Sequence, residues 1–211
     1  MPVFDQKQLA KIVSTLDLQV GDQQLRQWQQ HLELLLRWNK AYNLTAITKP
    51  NEVLTHHLCD SLVIAPYVTS GQIVDVGTGG GFPGIPMAVF YPEKNFVLVD
   101  TVLKKVRFLR QVVAELGLSN VEVRHARVEE LSFSPAAGQV VSRAFSTIND
   151  FLSLTQKIAD PDTQWLAMKG RYPEDELRAL SNDFAYTSTP LQVPGLDAER
   201  HLIQIHRRND E

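Results

Sequence analysis

Cysteine is nearly absent from this 211-residue chain, where Cys59 stands alone. One thiol can neither close an internal disulfide nor complete a cysteine-rich metal site, and a reducing compartment is the simplest reading. Long hydrophobic runs are missing too. No apolar stretch is long enough to cross a bilayer, and the first eight residues include Asp5 and no secretion-signal core. Neither sign of charge dominates: 21 Lys+Arg face 24 Asp+Glu, for a formal net charge of −3. No global basic field exists to hold a polyphosphate partner, although a local basic patch would suffice. Repeats and low-complexity tracts are also lacking. These absences predict a cytoplasmic chain without membrane or metal partners, with a monomer as the default. The 44% hydrophobic content provides for a real core, and the length suits one domain or one domain with an appendage.

The first third reads as helix. Leu9, Ile12, Val13 and Leu16 share one face over 6–16, and Leu25, Trp28, Leu32, Leu35 and Leu36 recur at steps of three and four up to Trp38. Gly21-Asp22 supplies a break and N-cap between them. A third helix is expected over 51–65, stopped by Pro66. From Ser70-Gly71 onward short β-rich runs alternate with helical patterns. The runs are 73–76, 96–100, 121–123, 139–141 and 165–168, followed by 186–193 and 201–206 joined through Pro194-Gly195. The helix after the second run has Val102, Val106, Leu109, Val113 and Leu116 on one face and Gly117 at its end. The pattern predicts an α/β protein: a mostly parallel, Rossmann-like seven-stranded sheet covered on both faces, ending in an antiparallel hairpin. Residues 1–68 form a helical extension and 69–211 the core.

The informative stretch is Asp75-Val76-Gly77-Thr78-Gly79-Gly80-Gly81-Phe82-Pro83-Gly84. It follows a strand and opens a short helix, with Pro83 or Pro86 in the first turn. Its glycines allow positive φ and close approach of a ligand to the backbone, where the first parallel strand ends. Gly79-x-Gly81-x-x-Gly84 alone fits a dinucleotide fingerprint. Asp75, two residues before Gly77, favours another ligand. A carboxylate there suits the cationic amino-acid end of S-adenosylmethionine and repels a pyrophosphate. No second domain remains to hold the substrate of a hydride donor, so a nicotinamide oxidoreductase is the lesser reading. Asp100 ends the second strand and can accept ribose hydroxyls, or serve as a helix N-cap. Val128 and Glu129, after the third strand, are placed to read adenine, or belong to a solvated charge run.

Ser142-Arg143-Ala144-Phe145 follows the fourth strand, where a methyl acceptor must sit. The Asn/Asp-Pro-Pro-aromatic element of amino-group methyltransferases is missing there. The cysteine nucleophile of carbon-5 pyrimidine enzymes is missing as well, because Cys59 falls in the N-terminal helices. An acceptor that needs neither deprotonation nor covalent help remains, and guanine N7 is one. Arg143 could orient the donor carboxylate or the acceptor, or pair with a neighbouring carboxylate, and Phe145 could stack on a base. Arg143 and Lys169 are the candidate catalytic residues. Gly77, Gly79, Phe82, Asp100, Val128, Glu129 and Arg143 are the candidate cofactor contacts. Lys104, Lys105, Arg107, Arg110, Arg124, Arg127 and Arg171 add cations near strand ends, as fits a phosphate-bearing substrate.

The chain closely resembles the ribosomal RNA small-subunit methyltransferase G family, also called glucose-inhibited division protein B. The resemblance rests on Trp38 to Thr45, on His57-Leu58-Cys59-Asp60-Ser61, and on the glycine loop. Val106-Arg107-Phe108-Leu109, Ser142 to Phe145, Lys169-Gly170 and the stretch from Gly195 to Leu202 complete it, so that it spans nearly the whole chain. It implies a class I S-adenosylmethionine-dependent fold and N7 methylation of one guanine in the decoding region of small-subunit rRNA. The substrate is then free rRNA, a 30S precursor or the finished particle. It also implies donor contacts at Gly77, Phe82, Val128-Glu129 and Arg143. Two departures stand out: His56 where another basic residue is common, and Gly80 where proline or alanine is common. A methyltransferase for another substrate and a non-catalytic donor-binding assembly factor are the alternatives.

Overall fold

The computed structural model describes residues 3–143, 145 and 147–208. Ala144 of the Ser142–Phe145 stretch therefore lies outside the described residues, as do the first two and last three residues of the chain. Helices α1 (Gln6–Ser14) and α2 (Asp22–Tyr42) come first. Asp5 caps α1 by accepting from Lys7 N, and the Gln24 side chain accepts from Gly21 N at 2.7 Å at the start of α2. The expected third helix is broken by its own geometry. It runs as α3 (Pro50–Val53), a π-helical turn (Leu54–Cys59) and α4 (Asp60–Leu62). Pro66 does not stop it outright, because it sits inside a 3₁₀ turn over Ala65–Tyr67.

The core alternates β1 (Gln72–Val76), α5 (Gly84–Phe90), β2 (Asn95–Asp100), α6 (Leu103–Leu116), β3 (Val121–His125) and β4 (Gln139–Ser142). It continues with α7 (Ile148–Thr155), β5 (Gln164–Lys169), α8 (Glu174–Arg178), β6 (Phe184–Pro190) and β7 (His201–Arg207). The strand order is β3-β2-β1-β4-β5-β7-β6, with β7 antiparallel to both neighbours and the other pairings parallel. β1 and β2 are buried on both faces, which explains their unbroken apolar runs. β6 is the half-exposed edge and ends at Pro190, short of the expected Val193. α6 stops at Gly117, whose φ is 65°. Val102 is not on the buried face of α6 as expected; it is the exposed N-cap residue, and Phe108 and Val112 complete that face.

One sheet face, with Ile73, Leu98, Val141 and Leu166, packs under α5, α6 and the N-terminal helices in a single apolar cluster. Val74, Val99, Trp165 and Ile203 face α7 and α8 on the other side. Successive strands run from β1 outward to β3, then return to β4 on the other side of β1. The carboxyl ends of β1 and β4 are thus the switch point of the sheet, where a crevice opens.

Candidate functional site

The glycine loop is built on Asp75. This carboxylate is fully buried, and its Oδ2 accepts from Thr78 Oγ1 at 2.7 Å and from Gly84 N at 2.8 Å. It ties the loop to the start of α5 and faces no cavity, so the expected direct contact with a cationic amino-acid group gives way to a scaffolding role. Burial pushes its pKa up to about 6, against the pull of those two hydrogen bonds. Its Oδ1 is buried without a partner. Gly77, Gly79 and Gly81 all take positive φ, at 71°, 62° and 90°, a conformation that side chains with Cβ rarely adopt.

Three cavities line up along the carboxyl ends of the strands. The first, about 320 Å³, lies between Gly77, Val99, Asp100, Val102, Val128, Glu129 and Phe145. The second, about 200 Å³, is bounded by Gly77, Gly79, Gly80, Phe82, Thr45, His57 and Arg143. The third, about 340 Å³, is lined by His56, His57, Asp60, Arg143, Met168, Lys169, Arg200 and His201. Gly77 and Lys105 are common to the first two, and His57 and Arg143 to the last two.

Every candidate cofactor residue borders the first or second cavity. Val102 rather than Asp100 is the N-cap residue of α6, and Asp100 anchors the loops on either side of the cleft. Its Oδ1 accepts from Val102 N at 2.8 Å and its Oδ2 from Gly79 N at 2.9 Å. A carboxylate has about four lone-pair sites, so two remain for a diol at the cavity wall. Phe145 belongs to the first cavity, packed on Phe151 with centroids 5.1 Å apart, and not to the third, where an acceptor base would stack. A slot with two acids, Asp100 and Glu129, opening into a glycine cradle that ends at an arginine, fits a nucleoside joined to an amino acid. The residues thus fit S-adenosylmethionine.

Arg143 is pinned in place. One terminal nitrogen donates to His56 O at 2.9 Å and to Asp60 Oδ2 at 3.0 Å, and the guanidinium lies 5.5 Å from the Phe82 ring. Asp60 is buried, and its other oxygen accepts from Arg200 Nε at 2.8 Å. Phe82 is sandwiched between His31 and His57, with centroids at 4.7 and 4.6 Å. Burial lowers the His57 pKa to about 3, reinforced by the charge of Arg143, and lowers that of His31 to about 4. Neutral His57 can donate from Nε2 to Thr45 Oγ1 at 3.0 Å and turn its Nδ1 lone pair toward Arg143, 3.4 Å away. Lys169 borders only the third cavity, with Nζ 2.8 Å from Glu176 Oε2. Burial pushes the Cys59 thiol up to about 12, so it is a packing group and not a nucleophile.

His31, His57, Asp60 and Arg200 were invisible to chemical reading of the sequence. Three of them stood only within family-like stretches; His31 carried no signal beyond a place on an apolar helix. Arg124 and Arg127, read as substrate cations, form surface ion pairs with Glu122 and Glu129. No cluster of metal-binding side chains occurs among the described residues, and no helix among them is long and apolar enough to cross a membrane.

A family model described as rRNA small subunit methyltransferase G matches residues 24–203. Relatives carry the name ribosomal RNA small subunit methyltransferase G. That of Stutzerimonas stutzeri is 45% identical over 95% of both chains. That of Psychromonas ingrahamii is 42% identical over 94% of this chain and 97% of its own. Among solved structures, a putative O-methyltransferase from Klebsiella pneumoniae aligns over 97% of this chain and 99% of its own. Its TM-score is 0.61 at 16% identity, a likeness of fold alone. TrmN from Thermus thermophilus aligns over 82% of this chain and 52% of its own, with a TM-score of 0.56 at 19% identity.

Proposed function

This chain belongs to the rRNA small subunit methyltransferase G family, whose members are S-adenosylmethionine-dependent rRNA methyltransferases, and from that premise we propose that its acceptor is N7 of one guanine in small-subunit rRNA. The observation that carries the reading is the state of the carboxylate in the third cavity. Asp60 is the only carboxylate among the residues lining it, and both its oxygens are held by arginines. Of the three histidines lining it, His57 has its basicity suppressed by burial. Guanine N7 needs no general base from such a pocket, because its lone pair is free and no proton has to leave.

When bound, S-adenosylmethionine supplies an electrophilic methyl group on a cationic sulfur. The chain's own residues bind and align. Asp100 and the Val128-Glu129 turn hold the nucleoside end, and the Gly77–Gly81 backbone receives the amino-acid end. Arg143, at the junction of the second and third cavities, fixes the line between donor and acceptor. Lys169 and Arg143 are catalytic by contact with the base: a cation on O6 selects guanine over adenine, which shows an amino group there. Residues 1–68 act as a helical extension on the 69–211 core, and the protein works in the cytoplasm as a monomer. The test is methyl transfer from labelled donor to naked small-subunit rRNA and to small subunits lacking the modification, with the product mapped as N7-methylguanine. Label on another atom, or on protein or small molecules only, would overturn the assignment.

A further inference from the structure

α2 and α6 lie antiparallel along one seam. Gln27 Nε2 donates to Leu116 O at 2.9 Å, Trp38 meets Phe108 at 5.7 Å, and Lys104 Nζ donates to Tyr42 O at 2.7 Å. In antiparallel helices the residue one position before each seam residue turns to the same side, since each step is about 100°. Arg37 precedes Trp38 and Arg107 precedes Phe108, so the two guanidinium groups share one outward face. Lys104 and Arg110 extend that face along α6, and all four residues are exposed. No ion pair among the described residues involves any of them.

The charge order of α6 is opposite to what its own stability favours. Its cations, Lys104, Lys105, Arg107 and Arg110, occupy the first eight residues, and its one acid, Glu115, lies near the end. A helix dipole rewards acids at the N-terminus and bases at the C-terminus. Local helix energetics therefore give no reason for this pattern, whereas an external polyanion does. The face also meets the site. Lys105 on the same helix, and Leu44 and Thr45 just past the end of α2, line the second cavity. At that corner Tyr42 is exposed, its ring 5.1 Å from that of Trp38, a platform on which an unpaired base can stack.

Resting on the reading that the substrate is small-subunit rRNA, we propose that the α2–α6 face grips the phosphate backbone beside the target nucleotide. Arg37, Lys104, Arg107 and Arg110 contact phosphates, and Tyr42 receives a flanking base. The occupant is RNA, chosen by charge complementarity on a chain whose net charge is −3.

The test uses the full-length variant Arg37→Gln/Arg107→Gln/Arg110→Gln with naked small-subunit rRNA and with unmodified small subunits. Binding is measured across a salt series beside steady-state methylation. Removing one cation from a phosphate lowers the slope of log K against log salt by about 0.7 to 0.9, so a slope shallower by about two to three is expected. KM for rRNA should rise about tenfold or more near 0.15 M salt, with kcat and donor affinity unchanged. A control neutralising Lys11, Arg178 and Arg208, which belong to other elements, should leave KM unchanged. An unchanged slope and KM would overturn the proposal, and so would weaker binding at unchanged slope. A defect confined to assembled particles would overturn it too, pointing to ribosomal protein as the partner. If wild-type protein methylated no rRNA, the functional reading itself would have failed; wild-type turnover with an unaffected variant would fail only this surface.

Discussion

Arg143 and Asp60 lie 83 residues apart in the chain, yet they meet at 3.0 Å where the N-terminal helices touch the end of β4. Asp60 is 3% exposed in its side chain and Arg143 26%, so the acid is dry and the base reaches two cavities. The pair converts a flexible side chain into a fixed wall between the second and third cavities. Because Asp60 also holds Arg200, one carboxylate locks together the π-helical segment, the end of β4 and the start of β7.

Asp60→Asn keeps the shape and removes the charge. Breaking a buried pair on one side costs about 3–5 kcal/mol, discounted here because both arginines are partly solvated. A fall in melting temperature is expected, with at least about a tenfold loss of kcat/KM, equivalent to about 1.4 kcal/mol of transition-state stabilisation. Donor affinity by calorimetry should fall as well, since Arg143 borders the donor's cavity. Wild-type turnover in this variant would show that the pair does not organise the site.

Two glycines of the loop should fail differently. A Cβ on Gly84 would sit 2.2 Å from Leu98 Cδ2 and 2.7 Å from Asp75 Oδ2, so Gly84→Ala overpacks the core and should destabilise by about 1–3 kcal/mol. Gly77 borders both donor cavities, so Gly77→Leu should abolish donor binding while the variant remains folded by circular dichroism. Undiminished calorimetric affinity in Gly77→Leu would rule out the assigned cradle.

The middle of the sheet was legible in the sequence because β1, β2, β4 and β5 are buried on both faces and read as apolar runs. Asp75 to Gly84 announced the cradle for the same reason, since few sequences need so many positive-φ positions together. The π-helical turn was not legible. Its residues keep an ordinary helical pattern, and the widened turn reflects tertiary contacts made by His56 and Asp60 to Arg143. Phe145 was misplaced because strand order alone cannot tell which side of β4 a ring will take. Asp75 was read as a ligand contact because a carboxylate beside a glycine loop looks the same in sequence whether it faces a ligand or supports the loop.

Lys169 and Arg143 should separate by assay. Lys169 borders the acceptor cavity alone, and Arg143 borders both. Lys169→Gln is expected to leave donor affinity within about twofold of wild type and to cut kcat by about tenfold or more. Arg143→Lys should weaken both, because an ammonium cannot reproduce a planar guanidinium whose one terminal nitrogen holds His56 O and Asp60 while the other faces His57 Nδ1. Equal donor affinities in the two variants would contradict this division.

Acid should unfold the protein through the ring stack around Phe82. His31 and His57 stay neutral when folded, with pKa values lowered by burial to about 4 and about 3 from an ordinary 6.5. Below pH 6.5 the unfolded chain takes up protons that the folded chain refuses, so stability is full above 6.5 and falls as pH drops toward 4 and 3. Asp75 works in the opposite sense. Its pKa is raised to about 6 from 3.8, so its contribution is full below 3.8 and lost as pH rises through 6. The two histidine shifts outweigh the single carboxyl shift, and urea denaturation at pH 5 should give a free energy lower than at pH 7.5 by roughly 2–3 kcal/mol. His31→Phe preserves the stack on Phe82 while removing one titrating ring, and should flatten this dependence. It also removes the 2.8 Å hydrogen bond between His31 Nε2 and Gly80 O, so its stability at pH 7.5 should fall by about 1 kcal/mol even as its acid sensitivity decreases. A variant as acid-sensitive as the wild type would place the proton uptake elsewhere.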